Sequence, residues 1–323
     1  MKSLIRLIKR ILSGMKLKRL DSKDIPNNKN EIRLFLIVRN ESLRLPYFFK
    51  YYKKLGVVRF FVVDNNSTDD TVKFLLKQKN THVFETKERF DRQAERIDYM
   101  LHRYGVGYWC VVVDADEFLR YPHSEKINLK QISKFLDGKE YDALHCLLLD
   151  MYSNKPLRLT YYKKGSNPLL VTHYFDLDSH VKYKDFIEGS GRCKFKGGFR
   201  DRVFGLSSAS LSKYPLIKFK KKMYILWGAH QIEGASVSKI EGVVLHFKFF
   251  SDFILRISEE AKREEHWNNA KQYKIYNSKT RKDSSVNFYY SKSTRFKDNN
   301  QLIRLGIMKT SKEFESYVKN CEK

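Results

Sequence analysis

Apolar residues in this chain fall into two kinds of pattern, and their alternation predicts the architecture. Ile32-Arg33-Leu34-Phe35-Leu36-Ile37-Val38 and Val57-Val58-Arg59-Phe60-Phe61-Val62-Val63 are almost uninterrupted and rich in β-branched and aromatic side chains, as in strands buried on both faces. Tyr108 to Val113 and Ala143 to Leu149 repeat that texture. Between these runs, apolar positions return at helical spacing. One helix, with Pro46 in its first turns, ends at Gly56, and a second begins near Ser67 or Thr68, either of which suits an N-cap. A short strand and a helix over about residues 89–104 lead to the strand before Asp114. The order strand, helix, strand, helix, short strand, helix, strand, with each strand exiting into a polar loop, predicts an α/β fold with a doubly wound, mostly parallel sheet flanked by helices.

In such a sheet, ligands lie over the carboxyl ends of the strands. Three loops open there: Arg39-Asn40-Glu41, Asp64-Asn65-Asn66 and Asp114-Ala115-Asp116. The third carries the strongest signal, because an uncharged run stops at Asp114, Asp116 and Glu117. Like charges packed within four residues repel unless water disperses them or a cation binds, and a hard divalent ion with oxygen ligands is the usual relief. A solvated acidic turn would read the same way in isolation. No G-x-G-x-x-G follows the first strand and no Walker A lysine loop is present, which argues against a dinucleotide dehydrogenase and a P-loop enzyme.

From Tyr152 to Gly242 periodicity is weak, as in loops that shape a pocket. Gly197-Gly198-Phe199-Arg200-Asp201-Arg202 combines paired glycines with two planar guanidinium donors suited to phosphate, and Glu241 to Phe249 reads as a short strand with His246 inside it.

The ends of the chain differ from its middle. Residues 1–22 carry Lys2, Arg6, Lys9, Arg10, Lys16, Lys18 and Arg19, with Leu4, Ile5, Ile8, Ile11, Leu12 and Met15 at helical spacing, which predicts a basic amphipathic helix. Its apolar residues are too interrupted to span a bilayer, so lying on an anionic membrane, or packing on the protein itself, are the two expectations. Asp21 to Asn30 reads as a linker, residues 31–270 as the main domain, and 271–323 as a basic C-terminal tail with a final short helix. The net charge of +26 over 323 residues calls for an anionic partner, and by itself does not choose among nucleic acid, membrane and phosphorylated substrate. Cys110, Cys146, Cys193 and Cys321 are far apart, and a reducing cytosol fits them best.

Taken in order, Arg39-Asn40-Glu41, Lys54-Leu55-Gly56-Val57, Val63-Asp64-Asn65-Asn66-Ser67-Thr68-Asp69 and Val113-Asp114-Ala115-Asp116-Glu117-Phe118-Leu119 resemble the bacterial family 2-like glycosyltransferases of the GT-A fold. Leu245-His246-Phe247-Lys248-Phe249, followed by a helix with Arg256, Arg263 and His266, resembles the end of that domain. The resemblance implies transfer of a sugar from a nucleotide-diphosphate donor, a UDP-sugar favoured, to a glycan or lipid-linked acceptor hydroxyl, with Mn²⁺ or Mg²⁺ as cofactor. It divides the domain into a nucleotide-sugar half (31–150) and an acceptor half (151–270). Metal ligands would be Asp114, Asp116 and His246, with His230 as fallback.

Donor-binding candidates are Arg39, Asn40, Glu41, Asp64, Asn65, Arg92, Ala115, Arg200 and Arg202, with Arg89 and Gln93 ranked behind them. Asn65 stands where many family members carry a second acidic residue, which bears on the base contact. For an inverting transfer the general base is sought among Asp201, Glu233 and Asp176; the two arginines beside Asp201 would depress its pKa. Such an enzyme would build surface polysaccharide as a peripheral protein on the cytoplasmic face of the membrane. A sugar-1-phosphate nucleotidyltransferase is the alternative enzyme, though it usually opens with a glycine-rich basic loop. A nucleic-acid-binding protein is the non-enzymatic alternative, for which no zinc-finger spacing or RNP-like motif is present, so nucleic acid is not the expected partner.

Overall fold

The computed structural model describes residues 2–177, 180–182, 195–207, 209–226, 228–282 and 285–322. Cys193 lies outside them, and Cys110, Cys146 and Cys321 are free thiols. Helix α1 (Lys2–Met15) is followed by the two-residue strand β1 (Lys18–Arg19). A β-α repeat comes next: β2 (Ile32–Val38), α2 (Leu45–Lys54), β3 (Val57–Asp64), α3 (Thr71–Leu76), β4 (Thr81–Glu85), α4 (Gln93–Tyr104) and β5 (Trp109–Val112). The expected strands form where the uninterrupted apolar runs lie, because both their faces are covered. Asp70, rather than Ser67 or Thr68, is the N-cap of α3, and the Ser67 hydroxyl accepts instead from the Asn40 N–H.

The second half adds β6 (Glu117–Arg120), α5 (Leu129–Gly138), β7 (Ala143–Asp150), β8 (Tyr174–Asp176), β9 (His180–Lys182), β10 (Phe195–Gly197), α6 (Phe199–Phe204), β11 (Ser212–Lys218), β12 (Tyr224–Leu226), β13 (Gln231–Glu233) and β14 (Val237–His246). Then follow α7 (Phe253–Arg263), α8 (Trp267–Lys282), β15 (Ser293–Arg295), α9 (Asn299–Arg304) and α10 (Lys312–Cys321). Nine strands form one sheet in the order β1-β4-β3-β2-β5-β11-β7-β14-β6. β4, β3, β2 and β5 are mutually parallel, β11 runs against both neighbours, and β14 is parallel to β7. Because β11 and β6 are reversed, their amino ends meet the carboxyl ends of β2, β3, β5, β7 and β14 along one edge of the sheet.

Two stretches hold structure that the pattern did not predict. β11 is a central strand inside the segment that lacks periodicity, and it carries Pro215, tolerated because the β11–β7 register shifts between Lys213 and Leu216. The supposed tail is part of the body: β15 pairs with β8, while Leu302, Met308, Phe314 and Val318 enter the main core and Tyr276 and Phe288 fill a third cluster. Gly242 on β14 allows that strand to lie against its neighbours, since a Cβ there would meet the Arg120 carbonyl oxygen at 2.6 Å and the Cys146 sulfur at 2.7 Å.

The segment read as a linker is laced to the sheet edge. Asp21 accepts from the backbone N–H groups of Val83 (2.8 Å) and Lys23 (3.0 Å) and lies 3.3 Å from His82 Nδ1, while Arg59 Nη1 lies 3.1 Å from His82 Nε2. A neutral ring with its proton on Nδ1 satisfies both contacts: it donates to Asp21 and accepts from Arg59. Burial pushes the His82 pKa down to about 4, with Asp21 opposing; for Asp21, Arg19 and the backbone donors outweigh burial and hold it at about 2. Both groups bind protons more readily in the unfolded chain. Stability is therefore expected to fall as pH drops from about 6.5 to 4 through His82, by on the order of 3 kcal/mol, and further toward pH 2 through Asp21. Urea midpoints measured from pH 7 to 4 check this; His82→Gln should remove most of that slope.

Candidate functional site

The shared edge of the sheet brings together most of the residues singled out above. Asp114 and Asp116 stand in the turn between β5 and β6, where the chain reverses so that Glu117 starts a strand antiparallel to β14. Glu117 is buried, accepts from the Asp114 N–H (3.0 Å) and pairs with Lys213 Nζ (2.8 Å), so it fixes the loop from beneath. Burial pushes the Glu117 carboxyl up, and Lys213 partly offsets this. Lys213 itself is buried at the amino end of β11, 3.6 Å from Asp114 and donating to the Gly228 carbonyl. Ala115, between the two aspartates, turns its methyl into the core, which leaves only its backbone for any ligand.

Asp116 and His246 are adjacent: Oδ2 lies 3.4 Å from Nε2, and the Asp116 side chain is 14 % exposed against 53 % for Asp114. On the other side of the ring, His246 Nδ1 donates to Asp150 Oδ1 at 2.5 Å, and Asp150 is gripped by Arg200 through two bonds of 2.8 Å. A carboxylate at Nδ1 orients the ring with Nε2 towards Asp116, the arrangement found behind metal-bound histidines. Burial lowers the His246 pKa, and Asp116 and Asp150 more than reverse that. Burial likewise opposes ionisation of Asp116 and Asp150, yet His246 with Arg256 and Lys248 holds the first, and Arg200 with His246 the second, well below the usual carboxylate range. His230 lies close by, its Nδ1 donating to the Ser212 carbonyl at 2.8 Å.

Two carboxylates and an imidazole are a donor set suited to Mn²⁺ or Mg²⁺ in kind. Among the described residues no three His, Cys, Asp or Glu side chains are gathered in metal-holding geometry; Asp116 and His246 are in place and Asp114 stands outward beside Lys213.

The first two loops lie along the same edge. Asp64 is buried; its Oδ2 accepts from the Ser67 N–H at 3.0 Å, and Oδ1 has no hydrogen-bond partner among the described residues. Burial raises its pKa. Asn65 Oδ1 is equally unpartnered, while its amide donates to the Thr86 and Glu88 carbonyls. A small crevice at the ends of β2 and β5 is lined by Ile37, Gln93, Ile97, Val113, Asp114 and Gly228 among others. Arg92 is exposed at the entry to α4.

Other candidates have structural work instead. Arg39 donates to the carbonyls of Asn65 and Asn66, and Asn40 accepts from the Thr68 N–H while its own N–H reaches Ser67, so this pair ties two loops together. Glu41 is buried and pairs with Arg256 and Arg44. Neither arginine expected at a diphosphate is free: Arg200 holds Asp150, and Arg202 forks onto Asp176 (2.7 and 3.1 Å) and stacks over Tyr290.

The same pairings involve the three candidate bases. Asp176 is held by Arg202 and Tyr152, and Glu233 is paired with Arg6 of α1. Asp201, in the first turn of α6, is not neutralised by its sequence neighbours, since both arginines pair elsewhere. One cation near Asp116 is not among the residues singled out from the sequence. Lys248 is half-buried, donates to the Tyr273 hydroxyl (3.2 Å), and burial lowers its pKa. The alternation His246, Phe247, Lys248 at the strand end is the signal that could have revealed it.

Compared with models of protein families and with characterised proteins, the chain has no match in either.

Proposed function

We propose that this protein is a metal-dependent glycosyltransferase of GT-A type, moving a sugar from a nucleotide-diphosphate donor, a UDP-sugar favoured, to a glycan or lipid-linked acceptor hydroxyl. The observation that carries the reading is the contact of Asp116 with His246, at 3.4 Å, on the same edge of the sheet as Asp114 and the Asp64 carboxylate oxygen that has no hydrogen-bond partner among the described residues. Asp114, Asp116 and His246 would hold Mn²⁺ or Mg²⁺, which supplies Lewis-acid neutralisation of charge on the departing nucleoside diphosphate. Asp64 accepts a hydrogen bond from the base or ribose, and Lys248 takes over the phosphate-neutralising part first given to Arg200 and Arg202. Asp201 is the base that accepts the proton of the attacking hydroxyl.

A thermal-shift panel of nucleotide sugars with and without Mn²⁺ tests this directly. One donor should raise the melting temperature by several degrees only when Mn²⁺ is present, since a ligand at about 100 times its Kd adds roughly 2.7 kcal/mol. Salt-sensitive binding to nucleic acid with no response to any sugar nucleotide would overturn the reading.

A further inference from the structure

Helix α1 is docked on the protein the wrong way round for a soluble helix. Its polar and small side chains face inward: Arg6 pairs with Glu233 and lies over the Tyr224 ring, Arg10 lies 3.5 Å from Asp98, and Ser13 is buried. Gly14 presses on Tyr99 so closely that a Cβ there would fall 2.2 Å from the ring. At 100° per residue these four positions share one side of the helix, and Leu4, Ile5, Ile8, Ile11, Leu12 and Met15 share the opposite side. All six are between 47 and 76 % exposed. A body that needed a packing helix would bury that face, so it is held outward for something else.

We propose that this outward face is a membrane-docking surface, seated in the interface of an anionic lipid bilayer. Lys9 and Lys16 sit at one margin of the face, exposed and without a carboxylate partner among the described residues; Lys221 and Lys222, in the loop before β12, are likewise unpaired. That loop lies beside α4, the helix on which α1 rests, because His102 of α4 contacts the Lys221 carbonyl. Apolar residues bordered by lysines match acyl chains beneath anionic headgroups. A second copy is the poorer occupant, since it would bring lysine against lysine and a net charge of +26 against +26. No helix among the described residues is long and apolar enough to cross a membrane, so attachment is peripheral.

The structure also revises how attachment works. Arg6, Arg10, Lys18 and Arg19 are engaged with Glu233, Asp98, Glu85 and Asp21, so apolar insertion carries the binding and the lysines add to it.

The test uses the full chain and does not involve a donor, so its failure leaves the glycosyltransferase reading untouched. Flotation with vesicles of phosphatidylcholine containing about one-third phosphatidylglycerol should carry the protein to the top of the gradient, with most binding surviving 0.5 M salt. The triple variant Ile5→Glu, Ile8→Glu, Leu12→Glu should bind roughly a hundredfold more weakly with an unchanged melting temperature, because the replaced side chains touch solvent. Charge-reversal at Lys9 and Lys16 should weaken binding about tenfold. Wild-type protein that stays at the bottom of the gradient, or a concentration-dependent dimer in sedimentation that the triple variant abolishes, would overturn the proposal.

Discussion

Asp116→Asn is expected to lower nucleotide-sugar turnover by a factor on the order of 10³ or more while the protein remains folded. The carboxylate is mostly buried, its negative charge is kept by His246, Arg256 and Lys248, and it lies 3.4 Å from the His246 ring nitrogen proposed to share the metal. Asparagine keeps the shape and removes the charge, so the change falls on cation binding and on stabilisation of the leaving diphosphate. Asp114→Asn should be milder, because that side chain is half exposed and already has Lys213 nearby. Steady-state turnover at saturating Mn²⁺, with a melting curve alongside, makes the comparison. Asp116→Asn that retained full activity in chelated buffer would end the metal mechanism.

Asp150→Leu is expected to cost about 3–5 kcal/mol of stability, the largest effect of any single change considered. The Asp150 carboxylate holds two bonds from Arg200 and one from His246 at a place shielded from water. Removing it strands a guanidinium that burial already disfavours in its charged form. The double variant Asp150→Leu, Arg200→Met should recover a large part of the loss, because an apolar pair can replace a buried ion pair once neither charge is left alone. Urea unfolding of the wild type and these variants decides it; a loss below about 1 kcal/mol for the single variant would mean that water reaches Arg200. Asp150→Asn, close in shape, should stay folded and lose activity by releasing His246 from its orientation.

Much of this arrangement was legible in the chain before it was folded, and what escaped has physical reasons. β2, β3, β5 and β7 announce themselves because strands covered on both faces need no polar alternation. Asp114 and Asp116 were visible because carboxylates ending an apolar run are costly without a partner. β11 was hidden: Lys213 and Pro215 break its apolar texture, and its Lys213 is tolerated because Glu117 and Asp114, about a hundred residues earlier in the chain, neutralise it. The C-terminal residues reach the core singly, at Leu302, Met308, Phe314 and Val318, without the density that marks a core element. Arg200 was read as a phosphate donor because nothing local reveals that Asp150, 50 residues away, already claims it. Asp150 itself, the last residue of β7, carries no local mark of its partners.

The position of β11 has a further consequence for how the chain reaches this state. β5 is flanked by β2, which is made early, and by β11, which leaves the ribosome roughly a hundred residues later. Until then the nascent first half presents the unpaired backbone of β5 as an open edge, apolar on both sides and ready to pair with the wrong strand. The two halves of the sheet are therefore not independent folding units. Fragments ending near residue 150 should aggregate rather than fold, and synthesis of the whole chain passes through an interval in which a chaperone has something to hold.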